Sequence, residues 1–142
     1  MQLLAISDLH LSQTSNKEAL IKMADHRDDW LIIGGDTSEK PELHEFAFKE
    51  LSKRFGRLIW VPGNHDLWTF DSKSKYAKRG VEKYNMLVEI ARSFGVITPE
   101  DPFLEWPVKS GNDAESLFIA PLFLLYDYSF RPKSVDRNNV KN

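Results

Sequence analysis

The sequence predicts an α/β domain, and three observations carry that prediction. Short aliphatic runs recur at residues 2–7, 30–34 and 58–61, longer amphipathic stretches separate them, and polar segments follow each run at its C-terminal end. Runs that are apolar on both faces and alternate with amphipathic helices argue for a parallel β-α-β-α-β sheet with flanking helices and right-handed crossovers.

Taken in order, residues 2–7 read as a buried strand. Ser15 or Asn16 is placed to cap a helix in which Ala19, Leu20, Met23 and Ala24 share one face. Residues 30–34 form the second strand. Pro41 suits the first position of a second helix, whose stripe of Leu43, Phe46, Ala47, Leu51 and Phe55 is stopped by Gly56. The third strand is 58–61. A longer helix follows over about residues 73–94, with Ala77, Val81, Tyr84, Leu87, Val88, Ala91 and Phe94 on one side and Gly95 as its cap. Beyond Gly95 the rhythm changes. Residues 96–98 read as a short strand, while 103–108 and 116–120 flank Ser110-Gly111-Asn112-Asp113, a hairpin turn signal. Antiparallel strands are therefore expected after the parallel sheet. No repeat, low-complexity segment or long linker divides residues 1–142, which read as a single domain.

Bulk composition narrows the function classes. At 142 residues with 42% hydrophobic content, the chain can enclose one core. A net charge of -2 supplies no broad basic surface, so nucleic acid or nucleotide enters only as a substrate. With zero cysteines, disulfides, thiolate metal sites and cysteine nucleophiles are excluded together. The first residues lack the basic n-region of a signal peptide, and no apolar run approaches the roughly 20 residues of a membrane helix. A soluble, cytoplasmic protein without a membrane partner is expected.

The polar residues just beyond the three strands form the main functional signal. Asp8 and His10 follow the first strand, Asp36 follows the second, and Asn64, His65 and Asp66 follow the third. Open parallel sheets gather functional groups beyond the carboxyl ends of their strands, where the loops converge over one crevice. Several anionic acceptors in so small a volume repel one another unless a cation lies between them. Carboxylates mixed with imidazoles and an amide oxygen suit manganese, iron, zinc or a neighbouring divalent ion rather than calcium. Gly35 and Gly63 give such a site sharp turns and close backbone approach.

These blocks, Asp8-Leu9-His10, Gly35-Asp36 and Gly63-Asn64-His65-Asp66, resemble in order the first three signature blocks of the calcineurin-like metallophosphoesterases. The 26 residues from His10 to Asp36 and the 28 from Asp36 to Asn64 each accommodate a helix and a strand. The resemblance implies a C-terminally incomplete α/β/β/α sandwich holding two divalent ions, manganese first, with iron, zinc, nickel, cobalt or magnesium as alternatives. It implies that Asp8 and His10 hold the first ion, Asp36 bridges both, and Asn64 holds the second. His65 is then not a ligand but the candidate acid, approaching the phosphate to protonate or stabilise the leaving group. Asp66 orients its neighbourhood, and Glu39 is a candidate for orienting His65, standing where many members carry an aspartate. The implied reaction is hydrolysis of a phosphomonoester or phosphodiester by water activated between two metals, impaired in this chain alone. A non-catalytic binding module that keeps the fold is the alternative.

Members of the family also supply histidines further along. The four here are His10, His26, His44 and His65, and none follows residue 65. His44 is expected on the solvent side of the second helix and His26 at the surface. A complete ligand set would therefore need self-association or a complementing C-terminal half. Residues 121–132 are expected to pack in the core, with Arg131 as the alternative phosphate clamp. Residues 69–79, carrying Lys73, Lys75, Lys78 and Arg79, are expected to form a solvated face, or else a lid favouring anionic substrates.

Overall fold

A computed structural model describes residues 1–70, 77–107, 116–124 and 133–134. Strands β1 (Leu3–Ile6), β2 (His26–Ile33) and β3 (Phe55–Trp60) form a parallel sheet in the order β1-β2-β3. Helices α1 (Thr14–Ile21) and α2 (Pro41–Leu51) are the crossovers. The single turn α3 (Asn64–Leu67) and the long α4 (Gly80–Ser93) follow β3, and β4 (Leu104–Trp106) pairs antiparallel with β5 (Leu117–Ile119). Both the parallel sheet and the later antiparallel pair match the sequence expectation.

Register decides which face holds the core. Leu4, Leu31 and Leu58 lie opposite one another, as do Ile6, Ile33 and Trp60, so all six side chains share one face. They form one hydrophobic cluster with Leu20 of α1, Ala47, Phe48 and Leu51 of α2, and Leu87, Val88 and Ala91 of α4. Each fully buried large side chain contributes about 1.5–3 kcal/mol relative to exposure. The opposite face carries Leu3, Ala5, Trp30 and Ile32. There Trp106 of β4 meets Trp30 edge-on with ring centroids 5.0 Å apart, and the Arg57 guanidinium lies 5.1 Å from the Trp30 ring.

Several boundaries depart from the sequence reading, each for a local reason. Helix α1 starts at Thr14 with Gln13 as its N-cap, so neither Ser15 nor Asn16 caps it. Asn16 instead sends its amide to the carbonyls of Leu9 (2.9 Å) and His10 (3.4 Å). Helix α2 ends at Leu51, because Phe55 pairs with His26 in the sheet and the ladder overrides the helical spacing. His26 therefore opens β2 rather than standing free at the surface: its ring stacks on Phe55 at 5.3 Å and pairs with Asp29 at 3.0 Å. Among the described residues α4 begins only at Gly80, and the expected start at Lys73 lies outside them, as do Lys75, the turn at 110–113 and Arg131.

The end of α4 follows expectation. Gly95, at φ +71°, closes a left-handed cap in which its N–H donates to Arg92 O (3.0 Å) and that of Val96 to Ala91 O (3.1 Å). The chain then returns to the sheet, where Ile97 bridges Ile59 in parallel and takes the position beside β3. No helix among the described residues is long and apolar enough to cross a membrane.

Candidate metal centre

Beyond the ends of β1 and β2 the main chains stay stitched together. Asp8 N–H donates to Gly35 O (3.1 Å), His10 N–H to Asp36 O (3.0 Å) and Leu11 N–H to Thr37 O (3.0 Å). This pairing brings Asp8, His10 and Asp36 together, with one ligand-type atom of each lying within 4.8 Å of the others. His10 Nε2 is 3.6 Å from Asp8 Oδ1, and Ser7 Oγ donates to Asp8 Oδ2 at 2.6 Å.

The backbone at these residues is strained. Asp8, His10 and Asp36, with φ of 57°, 41° and 53°, are the only non-glycine residues with positive φ among those described. A residue with a Cβ pays about 1–2 kcal/mol to sit there, and such conformations concentrate at functional sites, where the surroundings hold them. The loops from all three strands are also tightly nested. A Cβ on Gly35 would fall 2.4 Å from Gly63 N, and one on Gly63 would fall 2.1 Å from Asp36 Oδ1. Only glycine allows the approach.

Of the residues the sequence singles out, Asp8, Asp36 and Asn64 line one open cleft of about 420 Å³, together with Gly63, Trp68 and Phe123. His10 joins them through the ligand cluster. The His65 ring stands edge-on to His10 at 4.9 Å and against Trp68 at 3.8 Å, while its backbone N–H donates to Asp36 Oδ1 at 2.9 Å. Two carboxylates, an imidazole and a neighbouring amide form a mixed oxygen and nitrogen donor set that fits a divalent transition ion. An adjoining groove of about 560 Å³, lined by Tyr84, Pro99, Pro121 and Leu122, shares Leu67 and Phe123 with the cleft.

The two acids expected beside His65 are engaged elsewhere. Glu39 accepts from Ser12 Oγ (2.6 Å) and Ser38 Oγ (3.4 Å). Burial pushes its carboxyl up, but these hydroxyls, its own backbone N–H and Lys40 hold it below its ordinary value. Asp66 is fully buried: its Oδ2 accepts from Gly63 N–H at 2.8 Å, tying α3 to its own N-terminus, and its Oδ1 accepts from Ser38 N–H at 3.1 Å.

Two residues near the site prove buried, one misplaced by the sequence reading and one passed over by it. His44, expected at the solvent side of α2, is 0% exposed, with Nε2 3.0 Å from Asp66 Oδ1. Its position was readable, because 44, 47, 48 and 51 form a helical stripe with Ala47, Phe48 and Leu51. Lys83 of α4 is 1% exposed and donates from Nζ to Glu39 O (2.8 Å) and to Trp68 O. Loss of water around the ammonium lowers its pKa, opposed by the charges of Asp66, Glu39 and Glu42.

Comparison with known proteins agrees with this geometry. Residues 1–132 match the sequence profile of the calcineurin-like phosphoesterases. An [acyl-carrier-protein] phosphodiesterase, PptH, from Mycobacterium tuberculosis is 40% identical over 133 residues, covering 93% of this chain and 40% of that protein. The crystal structure of phosphopantetheinyl hydrolase (PptH) from the same organism superimposes with a TM-score of 0.82 at 39% identity, covering 95% of this chain and 47% of the other. The chain thus spans less than half the length of the relative it matches. Three strand-end loops that meet at one cleft, and a profile match over residues 1–132, place this chain in the calcineurin-like phosphoesterase family.

Proposed function

We propose that this chain forms part of a metal-dependent phosphodiesterase site that acts on the phosphopantetheine linkage of an acyl carrier protein. The strained cluster of Asp8, His10 and Asp36 carries the reading, since a scaffold has no use for three ligand-type residues held at positive φ. The substrate class is drawn from the 40% identical relative, whose name describes it as an acyl-carrier-protein phosphodiesterase. The apolar groove that adjoins the cleft supports a substrate with an extended arm rather than a compact phosphate.

In this reading Asp8 and His10 would hold one ion and Asn64 a second, with Asp36 serving both, manganese being the first choice. Divalent ions in such a site lower the pKa of water toward 7 and stabilise charge on phosphoryl oxygens. The remaining work falls to the protein. His65, held between His10 and Trp68, carries the proton delivered to the leaving oxygen. Asp66 and Glu39 shape the loops rather than touch the substrate. Trp68 and Phe123 wall the cleft and exclude water from its side. The reading keeps the protein in the cytoplasm. It also includes self-association or a complementing C-terminal portion, supported by the exposure of Leu122 (65%) and Leu124 (83%) beside the cleft.

The test is hydrolysis of bis(p-nitrophenyl) phosphate and of holo-acyl carrier protein with added Mn²⁺, beside Asp36→Asn. Manganese-dependent turnover that falls at least about 100-fold in the variant is expected. Turnover indifferent to chelator or to the substitution would sink the metal assignment. A phosphomonoester hydrolysed faster than either diester would overturn the substrate class.

A further inference from the structure

Beneath the cleft lie two buried groups to which the proposed chemistry assigns no part, His44 and Lys83, at 0% and 1% exposure. Their partners fall on the same two loops. Asp66, paired with His44, accepts N–H groups from Ser38, two residues after Asp36, and from Gly63, one residue before Asn64. A single carboxylate thereby joins the loop after β2 to the loop after β3. The other nitrogen of His44, Nδ1, lies 3.2 Å from Lys40 O, so the ring spans from the Asp66 carboxylate to the backbone at the start of α2. Lys83 makes a second link between the same loops, from Glu39 O on one to Trp68 O on the other.

We infer that His44 and Lys83 are positioning residues, which brace the Asp36 loop against the Asn64 loop and so fix the separation at which those loops present metal ligands. The inference rests on the metal reading for its functional consequence and on hydrogen bonds for its geometry. Fold stability alone gives no reason for these residues. An ammonium and an imidazole out of water are costly, and apolar residues of similar size at such positions are often neutral or stabilising. A brace and a core filler therefore respond differently to replacement by an apolar isostere. Residues that orient metal ligands typically change affinity by about 10–100-fold when replaced.

The experiment compares the unsubstituted chain with Lys83→Met, His44→Leu and His44→Gln. Free Mn²⁺ is titrated by electron paramagnetic resonance, and amide exchange is followed by NMR. Lys83→Met and His44→Leu should each weaken Mn²⁺ binding about 10–100-fold. In His44→Leu the amides of Ser38 and Gly63 should exchange on the order of tenfold faster, while those of the β2 and β3 ladder keep their protection. His44→Gln, whose amide can still hydrogen-bond Asp66 Oδ1, should restore most of the loss. Folded variants with unchanged Mn²⁺ affinity and unchanged exchange at both amides would overturn the brace. If His44→Leu unfolds, His44→Gln and Lys83→Met decide through the same two readouts. If the unsubstituted chain binds no Mn²⁺, the metal reading fails by itself, and exchange at Ser38 and Gly63 alone decides the brace.

Discussion

Replacing Gly63 by alanine separates the geometry of the site from the stability of the fold. Gly63 has φ -95°, which any residue adopts, so the backbone itself raises no objection. The obstacle is steric. A Cβ there would meet Asp36 Oδ1 at 2.1 Å, Asp36 N at 2.6 Å and Asp36 Cγ at 2.8 Å. To reach the 3.0 Å that real Cβ atoms respect, the oxygen must retreat about 0.9 Å and the backbone nitrogen about 0.4 Å. Retreat of that oxygen breaks its 2.9 Å hydrogen bond from His65 N–H. Overpacking of this kind costs about 1–3 kcal/mol, and here the displacement falls on a proposed bridging ligand.

Gly95→Ala is the matched control. Gly95 has φ +71° with nothing within 4 Å of an added Cβ, so alanine there pays about 1–2 kcal/mol of left-handed strain without touching the site. Urea unfolding followed by circular dichroism should therefore show comparable losses for both variants. Mn²⁺ titration should separate them, with affinity lost at least about tenfold in Gly63→Ala and retained in Gly95→Ala. Equal Mn²⁺ affinity in Gly63→Ala and the unsubstituted chain would refute the claim that nesting of these loops sets the ligand geometry.

Two further outcomes test the fold. Phe48, fully buried between α2 and the sheet, should cost about 3–5 kcal/mol on replacement by alanine, measured by urea unfolding; a loss below 1 kcal/mol would mean that the core is packed differently. Asp101 experiences burial that raises its pKa, but Arg92 and Thr98 outweigh it and hold the carboxyl below its ordinary value. A folded pKa below the unfolded one contributes stability above the unfolded value, lost as pH falls through the folded value. Asp101→Asn should accordingly flatten the fall in stability below about pH 4, and an acid limb identical to that of the unsubstituted chain would count against it.

How much of this was legible in the sequence depended on whether a signal was periodic. The three buried strands stood out as aliphatic runs, and the end of α4 stood out through Gly95. The end of α2 did not, because Phe55 continues the helical spacing of Leu51 and only pairing with His26 reveals it as strand. His44 and Lys83 were obscured differently: both sit on apolar stripes, 83, 87 and 91 in α4 as well as 44, 47, 48 and 51 in α2. Residue type outweighed position there, although a polar group at a core position is the more informative observation. That Asp8, His10 and Asp36 gather at one place was readable from their position after the strands. Their backbone conformation was not, since aspartate and histidine, though enriched at positive φ, still lie mostly at negative φ.

That hidden strain makes a prediction whose sign is unusual. At an ordinary exposed position alanine is more stabilising than glycine by about 0.4–1 kcal/mol, because glycine leaves the unfolded chain more freedom. Asp8 is exposed, so replacing it removes little packing, but its φ is 57°. Alanine must keep the left-handed strain of about 1–2 kcal/mol, whereas glycine adopts the same φ without penalty. Setting the strain against the entropy term leaves Asp8→Gly more stable than Asp8→Ala by roughly 0.5–1 kcal/mol, an inversion of the usual order. Both variants lose the carboxylate and should bind Mn²⁺ equally poorly, so differences in metal binding cannot produce the inversion. Urea unfolding of the two in metal-free buffer measures it directly. If alanine proves as stable as glycine, Asp8 is not held in a strained conformation, and the strongest structural mark of a functional site in this chain is lost.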